Sequence, residues 1–348
     1  MKGDFYLKLK NPHDLFFKET FGNVTTASNF LSNYLPPSLI EQIDIHTLEP
    51  QKDHFIEDQL KESFSDLLFK TTIAGNEGYI YFLFEHKSYP DKGTVFQVLK
   101  YMIQIWQAKL DQEYGELPVV IPLVIYHGKS NWHIPDTLAG ILKGYHDLPT
   151  NIKIYIPNFT YLLYDLSKYS DEEIKGAVLT RITLTLLRDI FTTDPEKLID
   201  SILRSVEFLQ DIEDKQTGIQ YFETMLYYII GSKTNLSKDD VQELIGKIEH
   251  IFPEGSEITM SIAEIWKEEG REEGRQEGRQ EGRVKGREEG RRSKLIEMTT
   301  KALVLKFKDI PNEISEKIKE SDPATLDEVV LKLINDEFKD IDEVREFL

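Results

Sequence analysis

The chain contains no cysteine in its 348 residues. Disulfide bonds, thiolate zinc sites and cysteine nucleophiles are therefore excluded. Long apolar runs are also missing, because the longest, from Val119 to Tyr126, is far shorter than the roughly 20 residues that span a bilayer. The first residues show no apolar segment of signal-peptide length. These absences predict a cytoplasmic protein that does not engage a membrane.

Arginine is absent before Arg181. Residues 1–165 carry 14 lysines against 20 aspartates and glutamates, and the whole chain has a formal net charge of −19. A protein that coats nucleic acid needs many basic residues against the phosphates, so that function class is excluded. If the N-terminal region contacts nucleic acid, it must use lysines, backbone amides or a bound metal ion, and one copy should bind weakly and in a salt-dependent way.

The length of the chain is sufficient for two or three domains. Strand and helix patterns are mixed up to residue 168, and the patterns after it are helical. We therefore predict an α/β domain followed by an all-α C-terminal region. The predicted domain bounds are 1–168 for the α/β domain, 169–265 for a helical domain, 266–292 for a Gly-Arg-Glu repeat and 293–348 for a C-terminal helical domain.

Two segments rich in aromatic and branched residues predict a β-hairpin. They cover residues 65–73 and 79–87, and Ala74 to Gly78 between them has the composition of a turn. Asn11 and Pro12, which precede a run of phenylalanines, predict the start of a helix.

A crossover connection is predicted after the hairpin. Residues 94–111 have helical periodicity, and the apolar segment 119–126 predicts a third strand. Pro122 favours an edge or a bulge for that strand, because proline cannot donate to a ladder. Two further strands are predicted over residues 152–156 and 161–166.

The predicted hairpin brings two acids and a lysine together. With Asn76 as the turn centre, Asp66 and Glu85 fall on neighbouring positions, with Cβ atoms ~5–8 Å apart. Strand alternation places Lys87 on the same face as Glu85. Like charges this close repel unless a cation lies between them, and Mg²⁺ takes oxygen ligands with only one or two protein carboxylates. The alternative that spacing alone leaves open is a surface salt-bridge cluster.

These residues resemble a known nuclease motif. Ser65-Asp66, which lies nineteen residues before Glu85-His86-Lys87, resembles the PD-(D/E)XK motif, with serine in place of its proline. Further segments, in order, are similar to the Rpn family of recombination-promoting nucleases, also called YhgA-like transposases. The similar segments are residues 13–18, 64–69, 83–88, 90–92, 117–128 and 261–264, the last leading into the repeat.

The resemblance implies a restriction-endonuclease-like domain with a mixed sheet flanked by helices. It implies an Mg²⁺-dependent endonuclease that hydrolyses phosphodiester bonds in DNA, with Mn²⁺ or Ca²⁺ as other possible ions. In that reading Asp66 and Glu85 hold the metal, and Lys87 positions the attacking water or the scissile phosphate. Asp14 or His13 completes the site, although both residues equally suit helix capping and compensation of the helix dipole.

Three residues on the following helix are candidates for substrate binding. Gln97, Lys100 and Tyr101 lie about one turn apart and could line the same cleft. The alternative for Gln97 and Lys100 is a solvated helix face, and the alternative for Tyr101 is a place in the core.

Two other functions remain open at this stage. The acidity and the lack of arginine are compatible with an inactive nuclease fold that serves in assembly or regulation, and the family's other label is transposase. For an active nuclease the candidate roles are recombination, mobile elements and phage defence.

A four-residue unit repeats six times over residues 268–291. In one helix it would stack like charges at i,i+4 and place six glycines, each of which costs on the order of 1 kcal/mol relative to alanine. A partner helix would relieve both problems, so we predict a homodimer or higher homo-oligomer through 266–292. The alternative is a flexible charged linker. Dimerisation would also raise the avidity for DNA of a domain without arginine.

Overall fold

The computed structural model describes residues 11–51, 65–85, 89–112, 116–232 and 234–348. Only the backbone is described for Ser65, Asp66, Glu85, Asp111, Gln112, Glu269, Glu272, Glu273 and Glu277. The chain forms two compact units, Met1–Glu264 and Ile265–Leu348. The predicted boundary at residue 168 therefore lies inside the first unit.

The first unit begins with three helices: α1 (Pro12–Phe21), α2 (Val24–Tyr34) and α3 (Pro37–Ile40). As the sequence predicts, α1 starts with capping chemistry, because the Asn11 side chain accepts a hydrogen bond from the Asp14 amide and Pro12 occupies the first turn. Asn23 caps α2 in the same way.

A five-stranded mixed sheet follows, with the strands in the order β1-β2-β3-β4-β5. Its strands are β1 (Ile43–Gln51), β2 (Ser65–Ile73), β3 (Asn76–Glu85), β4 (Val119–Tyr126) and β5 (Leu162–Asp165). β1, β2 and β3 are antiparallel, and β3, β4 and β5 are parallel. The mixed sheet confirms the predicted α/β class, while β1 was not predicted.

The β2–β3 turn differs from the predicted one. It consists of Ala74 and Gly75, both with positive φ (49° and 82°), and Asn76 already pairs with Ile73. This is the conformation that two-residue hairpin turns need in order to follow the twist of the strands. The turn centre lies before Asn76, so the register partner of Asp66 is Leu83.

Helix α4 (Thr94–Gln112) makes the predicted crossover between the parallel strands β3 and β4. The expected edge position of β4 is wrong, because β4 lies between β3 and β5. Pro122 nevertheless precedes the stretch paired with β5, which begins at Leu123. At Pro122, β4 therefore has a strand neighbour only on the β3 side, where its backbone pairs with Tyr81.

The two faces of the sheet are buried against different helices. Tyr79, Tyr81 and Leu83 alternate along β3 and pack in one cluster with Val98 and Met102 of α4. On the opposite face, Phe84 stacks on Phe17 of α1 at 4.3 Å, and Phe82 lies 6.0 Å from Phe30 of α2. β3 is therefore a central strand, buried on both sides.

The rest of the first unit is mainly helical, as predicted. Short helices α5 (Leu138–Ile141) and α6 (Thr150–Lys153) precede β5, so the strand predicted over 152–156 is wrong. The longer helices that follow are α7 (Val178–Asp189), α8 (Pro195–Leu209), α9 (Lys215–Gly231) and α10 (Lys238–Ile251). Ser237 and Asp240 form a capping box at the start of α10.

Helix α11 (Ser256–Phe307) contains the repeat and is 52 residues long. In the second unit it is followed by α12 (Asn312–Glu320), α13 (Pro323–Ile334) and α14 (Ile341–Phe347). The core of this unit includes Leu303, Ile314, Ile318, Leu326 and Val329, none with more than 1% of its surface exposed. Within the described part of the chain, no helix combines the length and the apolar character needed to cross a membrane.

Candidate nuclease site

The hairpin register fixes the relation between the two candidate metal ligands. Asp66 is paired with Leu83, and Glu85 follows Leu83 by two residues on the same strand. Positions 66 and 85 are therefore diagonal neighbours on one face of the sheet, a relation that separates Cα atoms by ~7–8 Å. Lys87 lies outside the described residues. Position 85 is also the register partner of Tyr126 on β4. Positions 66 and 85 therefore lie beside the carboxyl ends of the parallel strands β3 and β4.

Helix α4 covers the face of the sheet that contains these positions. The ring of Tyr101 lies 5.1 Å from that of Tyr81, and Lys109 Nζ lies 5.4 Å from the ring of Tyr79. α4 thus runs antiparallel to β3. Four helical residues rise about 6 Å and two strand residues about 6.6 Å, so we expect Gln97 to lie level with Leu83, the partner of Asp66.

Gln97 brings a buried donor to this end of α4. Its Nε2 atom is inaccessible to solvent and has no hydrogen-bond partner among the residues that the structure describes. Two turns further on, Gln104 has a buried Oε1 that likewise lacks a described partner. Buried polar atoms in native proteins are nearly always satisfied by protein, water or a bound group, so the Gln97 amide is a donor that a bound group can use.

The other two predicted substrate-binding residues lie in different surroundings. Lys100 is exposed on α4. Tyr101 is only 3% exposed and belongs to the core under the helix. The Tyr101 ring therefore lies between α4 and the sheet. This is the place in the core that the sequence left open as the alternative to substrate binding.

Helix α1 places His13 and Asp14 near the same end of the sheet, beside His127 after β4, but α1 packs on the face opposite to α4. His13 Nδ1 lies 3.2 Å from Nε2 of His127, the residue that follows β4, and 3.0 Å from the Tyr228 hydroxyl of α9. The Asp14 carboxylate accepts a hydrogen bond from the side-chain amide of Asn11. The helix cap is Asn11, so neither His13 nor Asp14 has that role.

His127 was not recognised in the sequence. It is 1% exposed, and its ring stacks on Phe191 at 4.6 Å and on Phe84 at 5.8 Å. A lone histidine after a strand gives no signal of burial. Its neighbours come from α1, β3 and the end of α7, which only the folded chain brings together.

A different charge cluster lies at the closed end of the hairpin. Lys70 Nζ is 2.6 Å and Lys109 Nζ is 3.1 Å from the Glu77 carboxylate, and the Tyr79 hydroxyl donates a hydrogen bond to it at 3.0 Å. The hydrogen bond from Lys70, reinforced by Lys109 and Tyr79, lowers the pKa of Glu77 to about 2. This ordinary ion-pair cluster ties β2, β3 and α4 together, and it is eight residues of β3 away from Glu85.

Among the side chains that the structure describes, no three histidines, aspartates or glutamates are placed to hold a metal ion. The side chains of Asp66 and Glu85 are not in that set, but their backbone positions are diagonal neighbours. Two carboxylates at such positions suit a hard divalent cation, and the buried Gln97 amide adds a donor for an oxyanion. The residue types at this end of the sheet therefore fit a metal ion together with a phosphate group.

A protein-family model covers most of the first unit. The model of the family described as "Putative transposase, YhgA-like" matches residues 11–217. The chain belongs to the YhgA-like family. The matched region of this YhgA-like chain contains the whole sheet and α1 to α8.

Curated relatives of this YhgA-like chain include proteins named nucleases and a protein named inactive. It is 28% identical over 259 residues to the recombination-promoting nuclease RpnC of Escherichia coli K12, covering 74% of this chain and 82% of that protein. It is 30% identical over 261 residues to RpnA of the same strain, covering 74% and 84%. The similar protein RpnE, at 28% identity over 75% of this chain and 83% of its own length, is named an inactive nuclease-like protein. No solved structure matches the chain.

Proposed function

We propose that this chain is a metal-dependent endonuclease that hydrolyses phosphodiester bonds in DNA. The observation that carries the proposal is the β2–β3 register, which makes Asp66 and Glu85 diagonal neighbours at the end of the sheet where the Gln97 amide is buried. The names of RpnA and RpnC support the same class of reaction and a role in recombination. We also propose mobile elements and phage defence as biological roles for the nuclease.

Asp66 and Glu85 would hold the metal ion. Their carboxylates match the oxygen ligands of Mg²⁺, and Mn²⁺ and Ca²⁺ have the same ligand preference. When bound, such an ion lowers the pKa of water and stabilises charge on the phosphate. The serine at position 65, where the PD-(D/E)XK pattern has proline, does not change this ligand set.

Lys87 and Asp14 would complete the reaction centre. In our proposal the Lys87 ammonium orients the attacking water or the scissile phosphate, as a compact point charge can. Asp14 would add a third acid from the first turn of α1, and His13 beside it would fix that turn through its contacts with His127 and Tyr228.

Gln97 and Lys100 would bind the DNA backbone. The Gln97 amide, which has no partner among the described residues, would donate to a phosphate oxygen. Lys100 is exposed and would add charge that binds phosphates without reading the base sequence. Tyr101 would act from beneath them, because its buried ring holds α4 on the sheet.

A plasmid assay tests the proposed activity. Purified protein is incubated with supercoiled DNA in Mg²⁺, Mn²⁺ or Ca²⁺ and with excess EDTA, beside the Asp66→Asn variant. We expect nicking or linearisation that EDTA abolishes and that Asp66→Asn reduces by about a hundredfold or more. Equal cleavage by Asp66→Asn, or cleavage that persists in EDTA, would contradict the proposal.

The second candidate is a nuclease fold without activity that serves in assembly or regulation. The name of RpnE favours it, because an inactive relative is as similar to this chain as RpnC is. It predicts no cleavage with any of the three metals from protein that is folded by circular dichroism. A transposase function predicts joined DNA products in the same assay, beyond cleavage alone.

A further inference from the structure

The repeat arranges residues in rows along α11, because residues four apart on a helix are neighbours on its surface. We name three of the rows. The glycine row contains positions 270, 274, 278, 282, 286 and 290; the arginine row contains 267, 271, 275, 279, 283, 287 and 291; the acidic row contains 269, 273, 277, 281, 285 and 289. With 3.6 residues per turn, the acidic and arginine rows lie about 100° to either side of the glycine row.

The glycine row is open from Gly274 to Gly290. Within the second unit, no described atom outside the helix lies within 4 Å of a Cβ built on Gly274, Gly278, Gly282, Gly286 or Gly290. Each glycine costs on the order of 1 kcal/mol of helix stability relative to alanine. The contacts within this unit therefore do not account for a helix with glycine at every fourth position.

The arginines in the middle of the repeat have no acidic residue three or four positions away on their own helix. At the ends, a glutamate three residues earlier can pair with an arginine, as Glu268 does with Arg271 at 3.5 Å. In the middle, the residues three positions before Arg279, Arg283 and Arg287 are Gln276, Gln280 and Val284. These three arginines are exposed and form no ion pair with any residue that the structure describes. Their charges remain available to another chain.

We propose that α11 pairs in parallel with α11 of a second copy of this chain, glycine row against glycine row. Glycine permits close approach of the two backbones, and packing along i,i+4 rows crosses two helices at about −50°. The charge rows determine the direction. A two-fold axis parallel to the helices places each acidic row against the partner's arginine row on both sides, whereas an antiparallel pair would place like charges together.

Two lysines in the repeat region provide a matched test. Lys285 interrupts the acidic row, and Lys267 begins the arginine row. Both are exposed residues of α11, and Lys285→Glu and Lys267→Glu change the net charge equally. In the parallel pair, Lys285 lies about 8 Å along the helix from the middle of the repeat, so Lys285→Glu restores an attraction to the partner's arginine row. Lys267 lies about 19 Å from the middle, where helices that cross at about −50° have diverged, so Lys267→Glu is the control for net charge.

Sedimentation equilibrium of the full-length chain measures the association. We expect a dimer that weakens at high salt, since exposed ion pairs are screened. Lys285→Glu should lower the dissociation constant by about threefold or more, and Lys267→Glu should leave it within about twofold. A chain that stays monomeric at about 100 μM, or a Lys285→Glu variant whose dissociation constant does not fall below that of Lys267→Glu, would overturn the proposal.

The absence of cysteine allows a direct measurement of the orientation. A spin label on Met298→Cys, an exposed position of α11 within the second unit, lies about 28 Å along the helix from the middle of the repeat. For parallel helices crossing at the middle of the repeat, the label-to-label distance should be about 25 Å. An antiparallel pair centred on the repeat would give about 55 Å, and that distance would overturn the parallel arrangement.

Discussion

The ring of Tyr101 on α4 packs against the ring of Tyr81 on β3, with 5.1 Å between their centroids. From this contact, the rise of a helix and of a strand leads us to expect Gln97 level with Leu83, the register partner of Asp66. The amide of Gln97 is thereby buried beside the proposed reaction centre, although no described residue accepts its hydrogen bonds. A buried amide without a hydrogen-bond partner is expected to lower the free energy of unfolding. We therefore expect the Gln97 amide to serve in binding.

The Gln97→Leu variant should therefore separate stability from activity. We expect plasmid cleavage to fall by about tenfold or more, because a hydrogen bond to a charged group contributes ~1.5–3 kcal/mol. The melting temperature should stay equal or rise, because the variant removes an unsatisfied buried group.

Gln104→Leu is the matched control for Gln97→Leu. It removes a buried amide from the same helix face two turns away, so its melting temperature should also stay equal or rise while cleavage is retained. A purely structural role for Gln97 would make the two variants cleave equally.

The Glu77 cluster predicts a stability effect that depends on pH. The pKa of Glu77 is lowered to about 2, so its ion pairs contribute stability above the unfolded pKa of about 4.5 and lose it as the pH falls toward about 2. Its side chain is 42% exposed, so the contribution should not exceed about 1 kcal/mol.

Urea unfolding of the wild-type chain and Glu77→Gln between pH 7 and pH 3 checks this effect. The difference between the two chains should be constant near neutrality and shrink below about pH 4.5. A difference that grows as the pH falls would show that the sign is wrong.

The buried carboxylate of Asp189 should be among the most sensitive charged positions. Burial opposes its ionisation, yet hydrogen bonds from Arg188 and Ser201 hold the pKa of Asp189 below its usual value. Asp189 is 1% exposed, so Asp189→Asn should cost ~3–5 kcal/mol of unfolding free energy.

Asp171→Asn is the matched control for that variant. Asp171 also contacts Arg188, at 2.6 Å, but its side chain is 48% exposed, so we expect a loss below about 1 kcal/mol. If urea unfolding shows equal losses of unfolding free energy for Asp189→Asn and Asp171→Asn, burial of the carboxylate does not determine the stability cost.

His13 should contribute chiefly to stability. Its ring contacts His127, Phe191 and Tyr228, which join α1 to the end of β4 and to the helices of the first unit. His13→Ala should lower unfolding free energy by about 1–3 kcal/mol through the lost packing. Cleavage per folded molecule should stay within about threefold of wild type, whereas Asp14→Asn should lose about a hundredfold. A hundredfold loss in His13→Ala at a temperature where it is fully folded would make His13 catalytic.

Local signals were sufficient to predict the start of α1, the hairpin strands and the α4 crossover. Asn11-Pro12 is a local cap, and the residues of β3 favour a strand whatever surrounds them. β1 could not be found in this way. Its buried residues Ile43 and Leu48 lie five apart, because the register shifts between Asp44 and Glu49 and breaks the alternation that indicates a strand.

The candidate site could be predicted as a set of residues but not as an arrangement. The types and order of Asp66, Glu85 and Lys87 are visible in the sequence, and the local strand patterns predict the hairpin that carries them. The burial of Gln97 and His127 depends on how α4 and α7 dock on the sheet, and contacts between residues far apart in the chain determine that. Even the hairpin register required the structure, because Ala74 gives no sign of its positive φ.

Two glutamates on β3 allow the central claim to be tested within one strand. Glu85 and Glu77 are an even number of residues apart, so they lie on the same face of β3, at opposite ends of the strand. The decisive measurement is the rate of Mg²⁺-dependent plasmid cleavage by Glu85→Gln and Glu77→Gln, each beside its melting curve. We predict that Glu85→Gln loses at least about a hundredfold in rate with an unchanged melting temperature, and that Glu77→Gln keeps its rate and melts slightly earlier. Cleavage by Glu85→Gln at the wild-type rate would contradict the proposed reaction centre.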